Sequence, residues 1–420
     1  MTSDNRLIVG LDLGTTKTCA VIGERNEKGF LEITGVGLAP STGLRKGVVV
    51  NIEAALRSVI AAIEAAEMMS GREVHSCWTG IGGNHIDGIN SRGVVAVTGK
   101  NRETREIGRE DIARVLEAAR AVVIPMDRRV LEVIPQDYIV DNQRDIVNPL
   151  NIMGVRLEAE VHIITCAVTS AENLIKSVNR AGFRVNDLIL QSLAAGRSVL
   201  TDEEKAMGVV LIDIGGGTTD VLVYSRGAPY SNITIPAGGV QVTSDISIIK
   251  NISLENAERI KLEAGCCWEE LLEGDDDIIV PGVGGRPPLP IPRSQIQAII
   301  RPRMEEIFKM VKEELDKLVF SRPLGGGVVL CGGGAQLLGV VELANHVFKL
   351  PARIGNPLPV GGLVQEYLSP VYAAAVGLVL EGNDREFKAG AEQAGDIRVR
   401  DKGQGNIINK VIDWLQKEFF

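Results

Sequence analysis

Two aspartates set among glycines and threonines could do the most chemistry in this chain. Asp12 opens the run Asp-Leu-Gly-Thr-Thr, and Asp213 opens Asp-Ile-Gly-Gly-Gly-Thr-Thr-Asp. Gly14, Gly215, Gly216 and Gly217 let backbone N–H groups approach an anion with no Cβ in the way. The hydroxyls of Thr15, Thr16, Thr218 and Thr219 add donors, so each turn can cradle phosphate oxygens, and Lys17 joins the candidate set. Asp12 and Asp213 on either side of a polyphosphate suit Mg²⁺, held through water, because that ion keeps several waters and takes one or two carboxylates together with phosphates. Either turn alone reads more readily as a hairpin whose Asp and Thr satisfy their own backbone. The pair favours a polyphosphate site.

The elements that carry these residues follow from the flanking runs. LIVGLDLGTTKTCAVIG at 7–23 and GVVLIDIGGGTTDVLVY at 208–224 each read as strand, tight turn and strand. Two copies are too few for a solenoid and suit two similar halves facing a shared cleft. A third cluster, Gly332, Gly333 and Gly334 with Gln336 after it, lies between a predicted strand and a predicted helix. Its bare backbone could lie against a base or sugar, and could equally be a close-packed strand-to-helix turn. The chain has neither a G-x-x-x-x-G-K-[ST] loop nor a G-x-G-x-x-G after its first strand, which excludes the two commonest nucleotide motifs.

Bulk properties narrow the function further. The chain has 420 residues, an apolar fraction of 45% and a formal net charge of −9. It is long enough for several domains, and its acidity argues against a nucleic-acid backbone binder. Six scattered cysteines form no C-x-x-C pair, so reduced, buried thiols are expected. The four histidines occur singly and suit core or surface roles. The first residues lack a signal peptide's pattern and no run is long enough to span a bilayer, so an intracellular protein is expected.

The three glycine motifs resemble the two phosphate motifs and the adenosine motif of the actin and heat-shock-chaperone ATPase superfamily. LILQSLAAGRSVL at 188–200 and SPVYAAAVGLVL at 369–380 resemble its two hinge-crossing helices, and AERIKLEAG at 257–265 resembles its ribose- and base-contacting segment, with Glu258 and Lys261 on one helix face. Within the superfamily the chain resembles the FtsA family of bacterial cell-division proteins over nearly its whole length. A stretch at about 84–163 matches that family's extra α+β subdomain; in it Ile112, Val115, Leu116, Ala119, Val122 and Val123 form one helical stripe.

The resemblance implies an α/β, actin-like two-lobed ATPase fold with an inserted α+β subdomain and a C-terminal amphipathic helix. Residues 1–83, 164–192 and about 376–380 would form the first actin-like subdomain, 84–163 the insert, 193–235 with 316–375 the second actin-like subdomain, and 236–315 an accessory subdomain. Within the last, PGVGGRPPLPIPR is expected to be an exposed loop, and the following amphipathic helix to start or kink near Pro302. ATP and Mg²⁺ are the implied cofactors, with at most slow hydrolysis. Gln191 is the candidate to orient a water, or else contacts the metal's water shell. Asp220 either supports the second turn or is a simple turn residue. The implied partners are the C-terminal tail of FtsZ, further copies of the chain in a filament, other division proteins and membrane lipid, at the cytoplasmic face of the cell membrane. Arg301 and Arg303 are candidate contacts for the FtsZ tail, and helix-surface solvation accounts for them equally. An actin-like ATPase of another membrane-associated assembly, such as pilus biogenesis, or a phosphotransferase or chaperone of the superfamily, is the alternative.

The last 40 residues carry their own signal. Residues 381–405 read as a polar, flexible linker. In 406–420, Ile408, Val411, Ile412, Leu415 and Phe419 share a helical face flanked by Trp414, while Lys410, Asp413 and Lys417 face away. Such a helix would be roughly 17 Å long, too short to cross a bilayer, and should lie in the interface. Docking on the protein's own surface or on a partner helix is the other reading of that face.

Overall fold

The computed structural model describes residues 7–97, 104–272, 274, 277–280, 287–319, 323–362 and 364–396. Two five-stranded sheets share one strand order. In the first, Leu7–Leu13, Lys17–Arg25 and Leu31–Pro40 form an antiparallel meander, and Ser76–Ile81 and Arg184–Leu190 add in parallel beyond Leu7–Leu13. In the second, Val209–Ile214, Thr219–Ser225 and Ala228–Ile235 form the meander, extended in parallel by Val328–Cys331 and Ala352–Ile354. The leading strands are almost wholly apolar because both sheet faces are covered; Ile8, Val9, Leu11 and Val209 to Ile212 are all buried. This is the actin-like, two-lobed fold that the sequence implies.

The lobes are joined where helix Gln191–Val199 crosses helix Ala373–Asp396. A Cβ on Gly377 would lie 1.7 Å from the Ala194 carbonyl oxygen, so only glycine permits this crossing. The Ser198 hydroxyl donates to Ala373 O at 2.6 Å and ties the two helices together. The small residues Ala194, Ser198, Ala373 and Gly377 are therefore a packing requirement of the pivot.

The insert is an antiparallel sheet in the order Gln143–Ile146, Arg128–Val140, Arg156–Ala167, Asp87–Ala96, with helix Arg109–Arg120 over one face. Ile112, Val115, Leu116 and Ala119 are buried as the stripe predicts. The stripe ends sooner than expected: the helix stops at Arg120 before Pro125, Val122 packs only partly and Val123 is 97% exposed. The insert also grips the edge strand of the second lobe. Gln136 Nε2 donates to Pro229 O and Tyr230 O at 3.0 and 3.1 Å, and the buried His162 ring sits between Asn90 (2.7 Å) and Asn232 (2.8 Å).

The accessory part comprises helices Gly239–Lys250 and Leu254–Ala264, the hairpin Asp277–Val280 with Leu289–Pro292, and helix Arg293–Leu315. Leu289–Pro292 is thus a strand rather than loop, while residues 281–286 lie outside the described residues. Pro302 falls inside the last helix, whose start is nine residues earlier at Arg293.

The expected linker also differs. The second hinge helix runs on to Asp396, so 381–396 is helical. Tertiary contacts hold its start: Arg385 pairs with Glu132 (2.5 Å), Asp187 (2.8 Å) and Glu381 (2.9 Å), and Arg25 Nε donates to the Asn383 side chain at 2.8 Å. These offset the poor helix propensity of Gly382. Residues 397–405 and the amphipathic segment 406–420 lie outside the described residues. No described helix is long and apolar enough to cross a membrane.

Candidate functional site

The two meanders turn toward each other. Each turn is closed by the same backbone bond, Gly14 N to Lys17 O at 2.9 Å and Gly215 N to Thr218 O at 3.0 Å. Asp12 and Asp213 are the next-to-last residues of their leading strands, at matching positions just before the turns. The turns interdigitate: a Cβ on Gly216 would lie 2.4 Å from Thr16 Oγ1, and one on Gly217 would lie 2.6 Å from Thr15 Oγ1. Between them remains a cavity of about 60 Å³.

The structure brings Asp12, Gly14, Thr15, Thr16, Lys17, Gln191, Asp213, Gly215, Gly216, Gly217, Thr218, Gly332 and Gly333 to this cavity. Gln191, first residue of the hinge helix, donates from Nε2 to Asp12 Oδ1 at 2.5 Å and to Leu13 O at 3.2 Å. Its amide leaves no room for a side chain at Gly82, where a Cβ would lie 2.0 Å from Gln191 Oε1. The Lys17 ammonium donates to the Val371 carbonyl at the base of the second hinge helix. At Gly332 the backbone has φ +78°, and a Cβ would lie 2.2 Å from Asp213 Oδ1. Glycine is required there both for the turn and for the carboxylate beside it.

Other predicted residues stand apart. The Thr219 side chain is buried and its hydroxyl donates to Ala237 O at 2.9 Å, so it does not face the cavity. Gly334 backs onto Ile214, and Gln336 Nε2 donates to Ser369 Oγ at 3.3 Å. Glu258 and Lys261 pair at 2.7 Å and connect to the second turn indirectly: Lys261 donates to Thr243 Oγ1 and to Gly239 O, and Gly239 N donates to Gly215 O at 2.9 Å. Arg301 stacks over Trp268 at 5.0 Å, whereas Arg303 pairs with Asp245 (2.6 Å) and with Glu306. Two residues apart on a helix, these arginines do not share a face. Gly47, Pro370, Val371 and Ala374 line the cavity without any signal in their residue types; Asp220 also lines it and closes the second motif.

The electrostatics are lopsided. Burial raises the Asp12 carboxyl above its ordinary range, with Lys17 and the Gln191 amide opposing. Burial, then the charges of Asp220 and Asp12, raise Asp213 to about 7, with Lys17 again opposing. Asp220 is raised by burial and held back by hydrogen bonds from Thr234 (2.6 Å) and Thr218 (2.9 Å). Three carboxylates thus share one nearby ammonium, a donor set that a divalent cation would relieve. Among the described residues no group of three His, Cys, Asp or Glu could hold a metal ion on its own. The set fits an ion that completes its shell with water and phosphate, with Asp12 and Asp213 as the protein's contribution.

Comparison with known proteins places this geometry in context. The family model for cell division protein FtsA matches residues 210–377, and that for the SHS2 domain inserted in FtsA matches 83–165. Cell division protein FtsA of Borreliella burgdorferi is 45% identical over 416 residues, covering 99% of each chain. Among solved structures, the PilM–PilN type IV pilus biogenesis complex has a TM-score of 0.63 at 17% identity, covering 90% of this chain and 98% of that one. MreB 5 of Spiroplasma citri bound to AMPPNP has a TM-score of 0.53 at 16% identity, covering 94% and 99%. At those identities the two structures speak to fold alone.

Proposed function

The chain belongs to the FtsA family of cell-division proteins, and from that premise we propose that it binds ATP with Mg²⁺ between its lobes, self-assembles, and tethers FtsZ filaments to the cytoplasmic face of the membrane, where it recruits later division proteins. The observation that carries the nucleotide reading is the pair of facing turns, with Asp12 and Asp213 on either side and Lys17 between them and the hinge. AMPPNP bound in the MreB structure of like fold supports it.

Small-molecule sites occupy about 300 Å³ or more, so the 60 Å³ space admits a nucleotide only as the lobes part around Gly377 and Ala194. The turn amides and the hydroxyls of Thr15, Thr16 and Thr218 would then hold phosphate oxygens, and Lys17 would exchange Val371 O for a phosphate. Mg²⁺ would supply charge neutralisation between the carboxylates and the phosphates. Gln191 stands beside Asp12, where its amide orients a water or the metal's water shell. Gly332 to Gly334, Gln336, Glu258 and Lys261 form the adenosine side. Calorimetry with Asp213→Ala tests the reading: metal-dependent ATP binding should disappear, and unchanged affinity would reject it.

In the same proposal the accessory subdomain receives the FtsZ tail. Arg301 and Arg303 would each exchange an internal partner, Trp268 for the first and Asp245 with Glu306 for the second, for an acidic group of the tail. A double charge reversal that leaves tail affinity unchanged would remove both from the site. The segment 406–420 anchors the protein in the membrane interface, weakly for one chain and firmly for a filament that presents many. Deleting it, or changing Trp414 and Leu415 to Glu, should abolish liposome flotation while ATP binding persists; undiminished flotation would overturn the anchor.

A further inference from the structure

A second cavity, of about 350 Å³, lies away from the facing turns, where the insert, the hinge and the second lobe meet. Its size falls in the range of small-ligand sites, roughly 300–1,000 Å³. Ile134 and Pro135 of the insert and Ile189 and Leu193 of the hinge segment give it apolar walls. Its acids already have partners: Glu132 and Glu381 pair with Arg385, and Asp384 pairs with Arg197 at 2.8 Å.

Two donors do not. The Lys205 side chain is 13% exposed, yet its nearest counter-ion is Asp202 at 3.7 Å, itself 97% exposed. Burial and the nearby Arg197 push the Lys205 pKa down, which marks a desolvated charge beside a like charge. The ammonium lies 5.9 Å from the centre of the Tyr224 ring. Tyr224 is itself 6% exposed, and its hydroxyl has no hydrogen-bond acceptor among the described residues. An ammonium whose counter-ion is distant and exposed, and a hydroxyl with no acceptor among the described residues, both have room for a further acceptor, and both line the same cavity as the apolar walls.

We propose that this cavity is a binding site for a small organic monocarboxylate, its carboxylate accepting from Lys205 Nζ and Tyr224 Oη and its apolar body lying against Ile134, Pro135, Ile189 and Leu193. One weakly paired ammonium matches one negative charge, and the paired acids around it disfavour a multiply charged phosphate. An occupant would touch the insert, the hinge helix and the second lobe together, and would therefore be sensitive to the same lobe rotation that opens the nucleotide cleft.

Titration calorimetry of the full chain with hexanoate, hexanamide and inorganic phosphate tests this. Hexanoate should bind the wild type. Lys205→Met should weaken it about tenfold or more and Tyr224→Phe about threefold, as expected for a charged and a neutral hydrogen bond. Hexanamide should bind about as weakly to wild type as hexanoate does to Lys205→Met. Melting curves without probe establish that each variant is folded; should Lys205→Met fail to fold, the loss in Tyr224→Phe decides. Absence of hexanoate binding, equal affinity in wild type and the folded variants, or tighter binding of phosphate than of hexanoate would overturn the proposal.

Discussion

The two facing turns have one backbone and two chemistries. Aligned on Asp12 with Asp213 and Gly14 with Gly215, Thr15 and Thr16 fall opposite Gly216 and Gly217, Lys17 opposite Thr218, and Cys19 opposite Asp220. The first turn is bulky and carries the cation; the second is stripped to glycine and carries an extra carboxylate. Two identical turns could not close on each other, because the space filled by Thr15 and Thr16 is the space a side chain at 217 and 216 would need. Duplication of a fold thus supplies the scaffold, and divergence makes its halves complementary. One turn is rich in hydroxyls and carries the ammonium, and the other is rich in glycine and carboxylate.

That division of labour is broken most directly at Lys17. Lys17→Ala should weaken ATP binding by about 2–3 kcal/mol, the usual worth of a charged hydrogen bond, whereas Thr218→Ala, at the matching position, should cost about 1 kcal/mol. Equal losses in calorimetry would mean that the turns are interchangeable. Steric complementarity comes next. Gly216→Val should meet Thr16 and destabilise the closed form by about 1–3 kcal/mol, and adding Thr16→Gly should recover most of it. Melting temperatures of the two single variants and the double variant measure the coupling, and simple additivity would dismiss it.

The carboxylates give a smaller effect with a definite sign. Asp213 is raised from 3.8 to about 7, so the folded, metal-free protein holds that proton more tightly than the unfolded chain does. Stability therefore falls as pH rises from about 4 to about 7, and is level above that. Because Asp213 remains partly open to the cleft, the loss should be on the order of 1–2 kcal/mol. Asp220→Asn removes the larger of the two neighbouring charges that raise it and should flatten the profile; an unaltered slope in chelator-treated protein would contradict this coupling.

The turns were legible because their signals are local: an apolar β-branched run, an Asp, glycines, and the same pattern a second time. The glycines of the two turns and the cavity's carboxylates follow from those runs, and the helical stripe of the insert follows from its own periodicity, whereas Gly47 carries no such signal. What failed to show were directions and distant partners. All four threonines looked alike as donors, yet strand alternation separates them, since Thr219 pairs across the hairpin with Ile214 and turns inward with it. The helix through 381–396 depends on Arg385 meeting Glu132 and Asp187, residues far away in the chain, so its polar composition read as linker. The insert's grip on the second lobe uses His162, Asn90, Asn232 and Gln136, polar residues with no periodic signature.

The least effect, and the sharpest contrast of sign, lies one step from the turns. Thr18 pairs with Leu13 in the first hairpin as Thr219 pairs with Ile214 in the second, and both side chains are fully buried. Only one hydroxyl is satisfied. Thr219 donates to Ala237 O at 2.9 Å, which fastens the second hairpin to the start of the accessory subdomain, while Thr18 Oγ1 has no partner among the described residues. Valine has nearly the same shape and no hydroxyl. Thr219→Val should therefore cost about 1 kcal/mol by stranding a carbonyl, and Thr18→Val should be neutral or stabilise by up to about 1 kcal/mol by removing an unsatisfied polar group. Neither hydroxyl faces the cavity, so ATP affinity should be the same in both variants as in wild type. Urea unfolding midpoints that move in opposite directions, with unchanged nucleotide binding, would place these threonines in the scaffold. A drop in ATP affinity for Thr219→Val would return that hydroxyl to the phosphate site and undo the separation between the strand that holds the turn and the turn that holds the ligand.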